Sequence, residues 1–233
     1  MPLKRFISPQ LRRDWYMLKM PDGVMKEFYR IPLPRPQADF RETEFLCVDL
    51  ELTGLNPKKD EIISIGFVPI IQQKIDLSQA QYFLVRPEGQ LPGQSVVIHG
   101  LTDDSLSQAN LLEDVLPLVI SALAGRVLLA HHVPIEIGFL NRACMRLYGY
   151  PLLVRAVDTL EIEKRTLLQR NQPIDGGVLR LGKVRESYNL PRYRAHNALI
   201  DAISCGELFL AQAAHKVGVK EKLALRELMV AAG

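Results

Sequence analysis

A chain of 233 residues, 48% hydrophobic and 24% charged, has globular composition and material for a sizeable core. Its formal net charge of +3 is too mild to mark a nucleic-acid binder by itself. No apolar run is long enough to span a bilayer, the first residues do not read as a signal peptide, and Cys47, Cys144 and Cys205 lack metal-ligand spacing. The expectation is a cytoplasmic protein with buried free thiols and no membrane partner.

The basic excess is uneven. Residues 1–40 carry +4, which leaves about −1 for the rest. Ser8-Pro9 reads as a helix start, with Ser8 as N-cap and Pro9 in the first turn. Leu11, Trp15 and Leu18, with Met20 at the end, would form one stripe of that helix. Arg12 and Arg13 beside the single Trp could contact nucleic acid, but docking of the stripe on the chain's own core is the favoured expectation. Ile31-Pro32-Leu33-Pro34-Arg35-Pro36 is a stiff linker. Residues 1–40 are therefore assigned as a basic N-terminal extension and residues 41–233 as the main domain.

Phe45 to Leu52 is a near-continuous apolar run ending at Thr53-Gly54, the pattern of a buried strand that runs into a turn. Glu61 to Ile71 and Gln81 to Arg86 read as second and third strands of an antiparallel meander. Thr102 could cap a helix that Pro117 would interrupt. Arg126 to Ala130 is a fourth strand, followed by an amphipathic helix from Pro134 to Tyr148. Arg155 to Asp158 is a short fifth strand, and Asp158 fits the cap of the next helix better than a metal ligand. Helices are expected over Val178–Tyr188, His196–Lys216 and Lys220–Ala231. This order indicates an α/β domain with a mixed sheet flanked by helices.

Two acids interrupt the first strand. Side chains alternate along a strand, so Asp49 and Glu51 share one face. Like charges side by side on a buried strand need a cation, a proton or donors nearby. The plainer alternative is an edge strand with one polar face. Glu136 sits on the first turn of a helix that follows a strand, and Asp201 lies in the first turns of another helix, five residues after His196. Acids at the ends of three elements can converge, and four carboxylates in one place would require about two divalent cations roughly 4 Å apart. Oxygen ligands suit Mg²⁺ or Mn²⁺. His196 would then serve as a base rather than a ligand; taken alone, it could equally be a capping or packing histidine.

The order and spacing of these residues resemble the DEDD exonucleases, in particular the His-containing subgroup that includes the proofreading epsilon subunit of bacterial replicative polymerase. Asp49-Leu50-Glu51-Leu52-Thr53-Gly54-Leu55 matches the first motif, D-x-E-x-T-G-L. His196-Asn197-Ala198-Leu199-Ile200-Asp201 matches the third, H-x-A-x-x-D. Ile98-His99-Gly100-Leu101-Thr102 resembles the segment that approaches the substrate's 3′ end. The second motif, H-N-x-x-F-D-x-x-F-L, is only partly kept in His131-His132-Val133-Pro134-Ile135-Glu136-Ile137-Gly138-Phe139-Leu140, where Glu136 replaces Asp.

The resemblance implies a ribonuclease-H-like fold with a mixed five-stranded sheet. It also implies 3′→5′ hydrolysis of single-stranded DNA or RNA ends to nucleoside monophosphates, DNA in the first instance. Asp49, Glu51, Glu136 and Asp201 would hold two metals, His196 would take a proton from the attacking water, and Leu52, Thr53, Ile98 and His99 would line the terminal nucleotide. A polymerase or other protein partner belongs to the same expectation. Because a Glu carboxylate reaches more than about 1 Å beyond that of an Asp, the rival reading is a weakened module that binds nucleic acid or a polymerase.

Overall fold

The computed structural model describes residues 8–89, 106–193, 196–218 and 222–230. Its strands are β1 (Phe45–Leu52), β2 (Ile62–Ile71), β3 (Lys74–Ile75), β4 (Gln81–Leu84), β5 (Val127–Ala130) and β6 (Ala156–Asp158). Its helices are α1 (Pro9–Met17), α2 (Val24–Arg30), α3 (Leu112–Leu123), α4 (Val133–Tyr148), α5 (Thr159–Gln169), α6 (Leu181–Ser187), α7 (Ala198–Val217) and α8 (Leu225–Leu228).

β1 is the middle of one mixed sheet. β2 runs antiparallel on one side of it, and β5 followed by β6 runs parallel on the other. Both outer pieces lie against β2: β4 pairs with Ser64–Phe67, and β3 pairs with Ile70 and Ile71. Among the described residues the sheet has six strands, not the five expected. The extra one, β3, is a two-residue hairpin return. It follows Gln72 and Gln73, which both take positive φ (50° and 61°). Glutamines carry none of the usual Asn-Gly or Asp-Gly signal for such a turn.

β1 is covered on both faces, which explains its unbroken apolar pattern. Leu46, Val48, Leu50 and Leu52 point into a core formed with α2, α3 and α4. Phe45 and Cys47 point into a second core formed with α5, α7 and α8. Pro117 does not interrupt its helix; α3 continues through it. Burial of Val115, Leu116, Val119, Ile120 and Leu123 outweighs the one backbone hydrogen bond that proline removes. The last helix is shorter than expected, Leu225–Leu228, and α6 starts at Leu181. No helix among the described residues is long and apolar enough to cross a membrane.

The segment before residue 40 is fastened differently from the sequence expectation. Ser8 does cap α1, its Oγ accepting from the Leu11 N–H at 3.2 Å. Most of the apolar stripe, however, faces outward: Leu11 is 60% exposed, Trp15 49% and Leu18 84%, and only Met20, past the end of α1, is buried. Arg13 is the side chain that goes in, at 1% exposure. Its guanidinium donates to the carbonyls of Leu153 (2.8 Å), Ile31 (2.9 Å) and Phe28. It also lies over the rings of Phe28 and Tyr29, at 4.4 and 4.7 Å from their centroids. Burial lowers its pKa to about 10, which leaves it charged at neutral pH. Helix α2 carries Met25, Phe28 and Tyr29 into the same core as the sheet residues. Replacement of Arg13 by Ala strands three carbonyls and removes both ring contacts. We expect a loss of about 3 kcal/mol, read as a fall in Tm of roughly 6–12 °C. Arg13→Lys should not restore it, because an ammonium cannot reproduce the planar fork.

Candidate functional site

The face of β1 that carries Phe45 and Cys47 continues into Asp49 and Glu51, so the strand pattern that builds the second core also aims both carboxylates under α7. This helix follows the strand closely. Phe209 packs on Phe45 with ring centroids 4.6 Å apart. Gly206 lies over Cys47, where an added Cβ would come within 2.9 Å of Sγ. At the end that carries the acids, Gly66 pairs with Asp49 across the sheet. A Cβ on Gly66 would sit 2.1 Å from the Leu199 nitrogen and 2.2 Å from the Ala198 carbonyl carbon. Gly66 is therefore what lets the first turn of α7 approach the strand.

That first turn is fixed by Asn197, whose Oδ1 accepts from the Leu199 and Ile200 N–H groups, both at 3.1 Å. Asp201 follows in the same turn, and its Oδ2 accepts from the His196 N–H at 3.0 Å. His196 takes a positive φ of 71° immediately before the cap, and its side chain is exposed. The result is a triad: one oxygen each from Asp49, Glu51 and Asp201 lies within 4.8 Å of the others. Three of the four acids predicted from sequence are thus brought together.

Glu136 lies outside this set but not far from it. It is buried on the first turn of α4, and its charge is the largest like charge that raises the pKa of Asp49. Its Oε2 is buried without a hydrogen-bond partner. An orphaned carboxylate oxygen beside three clustered carboxylates fits a site for hard divalent cations.

The remaining predicted residues are more scattered. Leu52 packs in the core on the opposite face of the sheet. The Thr53 hydroxyl accepts from the Glu61 N–H (2.9 Å), and the Thr53 N–H donates to the Glu61 carbonyl (2.9 Å), closing the loop after β1. Ile98 and His99 lie outside the described residues. Asp158 is a cap of α5, accepting from the Leu160 N–H at 3.0 Å. His131 braces the end of β5, its ring bonding to Thr159 Oγ1 (2.8 Å) and the Leu179 carbonyl (2.7 Å). Gly66 and Asn197 were not singled out from the sequence. An isolated Gly inside a strand pattern is the one available signal for the former.

A model of the exonuclease family matches residues 46–209. This chain belongs to that family. The matched span contains Asp49, Glu51, Glu136, His196 and Asp201. Among the relatives of this chain, DNA polymerase III PolC-type of Thermotoga petrophila is 30% identical over 184 residues, which cover 78% of this chain and 13% of that protein. The chain thus spans a small part of the PolC-type relatives. DNA polymerase III subunit epsilon of Treponema pallidum is 30% identical over 173 residues, covering 73% of this chain and 77% of that subunit. The nuclease domain of 3'hExo, a DEDDh family member solved with rAMP, superposes with a TM-score of 0.61 at 21% identity, covering 80% of this chain and all of that domain. Escherichia coli exonuclease I, solved with a dT13 oligonucleotide, gives 0.61 at 14% identity over 74% of this chain and 41% of its own. The resemblance to DEDD exonucleases and the ribonuclease-H-like fold inferred from the motifs agree with these matches.

The electrostatics of this acid cluster follow from its geometry. Burial, and then the charges of Glu136, Asp201 and Glu51, push the Asp49 pKa well above the carboxylate range. Burial and Asp201 raise Glu51 to about 7. Burial raises Glu136 to about 8, with a smaller contribution from Asp158. A carboxyl group whose pKa is higher folded than unfolded contributes full stability below its unfolded pKa and loses it as pH climbs through the folded one. With an ordinary value of 4.5 for Glu, the loss spans the range from about 4.5 to 8. The chelated protein should therefore melt at a lower temperature at pH 8 than at pH 6. Added Mg²⁺ or Mn²⁺ should raise Tm more at pH 8 than at pH 6, because metal binding replaces the missing protons. A melting series in EDTA and in each cation checks both, and a cation effect equal at the two pH values would contradict the assignment.

Proposed function

We propose that this chain is a metal-dependent 3′→5′ exonuclease that hydrolyses single-stranded nucleic-acid ends, DNA before RNA, to nucleoside monophosphates. The observation that carries the reading is the carboxylate triad of Asp49, Glu51 and Asp201 at the point where β1 meets α7. Family membership supports hydrolysis of a phosphodiester, and the orphaned Glu136 oxygen supports a fourth ligand. In this reading Asp49, Glu51, Glu136 and Asp201 hold two divalent cations, Mg²⁺ or Mn²⁺. Bound there, the cations would supply Lewis-acid activation of water and charge stabilisation at the phosphodiester.

The chain's own groups do the rest. His196, exposed and tethered through its backbone to Asp201, takes the proton of the attacking water. Thr53, Ile98 and His99 are assigned to the terminal nucleotide, with Thr53 held by its bonds to Glu61; Leu52, expected there from the motif, is left out because its side chain is buried in the core on the other face. A polymerase-type partner is extended to this chain from relatives named as DNA polymerase III or as its epsilon subunit. Glu136 gives the second reading its one support: it departs from the family motif and stands outside the triad, as expected of a module that binds nucleic acid without cutting it.

Stepwise shortening of 5′-labelled DNA and RNA strands with Mg²⁺ or Mn²⁺ tests the reading. Chelator should stop it. Displacement of a reacting group by 1 Å costs about 100-fold, so Asp49→Ala and Asp201→Ala should each lose at least that much with folding retained. An Asp49→Ala protein as fast as the parent would remove the site from the chemistry.

The Glu136 variants separate the two readings. Glu136→Asp withdraws the carboxylate from a site already fitted to the longer side chain, so its single-turnover rate should fall, on the order of 100-fold, and Glu136→Gln should fall further. A faster Asp variant would mean an unfitted site. Absence of activity in parent and variants alike would favour the binding module.

A further inference from the structure

The start of α4 has no cap of its own. His132, its N-cap residue, takes a left-handed conformation (φ 89°, ψ 56°) and its side chain makes no capping bond. The cap comes instead from a neighbouring strand. Ala130 and Asp158 are partners at the ends of the parallel strands β5 and β6, which brings the Asp158 carboxylate against the turn that follows Ala130. Asp158 Oδ2 accepts from the Val133 N–H at 3.0 Å. Oδ1 accepts from the His132 N–H at 3.0 Å and from the Leu160 N–H at 3.0 Å. One buried carboxylate thus caps two helices, and the Val133 amide it holds is three residues before Glu136.

A helix turn is stiff, so the direction in which Glu136 leaves α4 is set by how the His132 and Val133 amides are held. We propose that Asp158 is a positioning residue for Glu136: it fixes the first turn of α4 so that the Glu136 carboxylate is delivered beside Asp49. This rests on the reading above, in which Glu136 is a metal ligand. The division of labour between the two oxygens makes the idea testable. An Asn side chain has one acceptor oxygen. With that oxygen on the His132 and Leu160 amides, its NH₂ faces the Val133 N–H, donor against donor. Asp158→Asn therefore keeps the cap of α5 and breaks one bond at the start of α4.

Mn²⁺ affinity of the full chain, followed by electron paramagnetic resonance, reads the effect without relying on turnover. Loss of a group that orients a ligand typically weakens metal binding about 10- to 100-fold, and that loss is expected for Asp158→Asn with the helical circular dichroism unchanged. In a Glu136→Ala background the same substitution should change affinity by less than about twofold, since coupled residues are not additive. Asp158→Glu keeps two acceptor oxygens and should bind Mn²⁺ more tightly than the Asn variant. If the Asn variant fails to fold, Asp158→Ser, which also offers a single acceptor oxygen, carries the same cycle with and without Glu136→Ala, and parent-like affinity in it counts against the positioning role. Parent-like affinity in the Asn variant, or losses that simply multiply in the double variant, would overturn the positioning role. A parent that binds no Mn²⁺ would remove the metal-site reading and this inference with it.

Discussion

Three carboxylates whose oxygens lie within 4.8 Å of one another oppose folding unless a proton or a cation sits among them. The rest of the site is arranged around that repulsion. Glu136 adds to it as the largest like charge acting on Asp49, and burial raises its own pKa to about 8, a cost of ionising it on the order of 5 kcal/mol. Hydrophobic packing on both faces of β1 is what keeps the acids together despite this cost, with Phe45 and Cys47 below them and Leu46, Val48, Leu50 and Leu52 on the other side. The energy released by packing is thus stored partly as electrostatic strain at the strand end, and a divalent ion would relieve it.

Close approach of α7 to the sheet is the structural counterpart. A helix that ran above a row of large side chains could not place Asp201 against Asp49 and Glu51. Gly66 and Gly206 remove the obstructing Cβ atoms at two points along the contact, and Ala198 and Ala202 keep the helix surface low between them. Phe209 anchors the far end on Phe45 and Phe40. Small residues near the site and aromatics away from it tilt the balance toward contact at the acids.

The N-terminal segment shows a different solution to docking. A buried arginine holds α1 by three carbonyls and two rings, while the apolar ridge of Leu11, Trp15 and Leu18 stays in solvent. Periodicity identified the helix and its Ser8 cap, because both are local. It assigned the wrong face to the core, because amphipathic pattern assumes that burial is apolar. Arg13 escapes that assumption: its partners are main-chain carbonyls at residues 28, 31 and 153, which no pattern in the sequence announces.

Local chemistry determined the antiparallel meander that begins the sheet, the existence of the motif helices to within a residue or two of their starts, and the chemical identity of the acids. Alternation alone put Asp49 and Glu51 on one face, and the His196–Asp201 spacing put Asp201 near the start of its helix. Those are properties of neighbouring residues, and the backbone geometry of strands and helices makes them readable. Which acids actually meet depended on distances between elements far apart in the chain. Only the packing of α7 on Gly66 brought Asp201 to the strand, and only the pairing of β5 with β6 put Asp158 where it could cap α4. Glu136 came near Asp49 without joining the triad. A sequence specifies the groups that enter a site through short-range geometry; the tertiary structure decides their separation, because packing contacts between remote segments have no local signature.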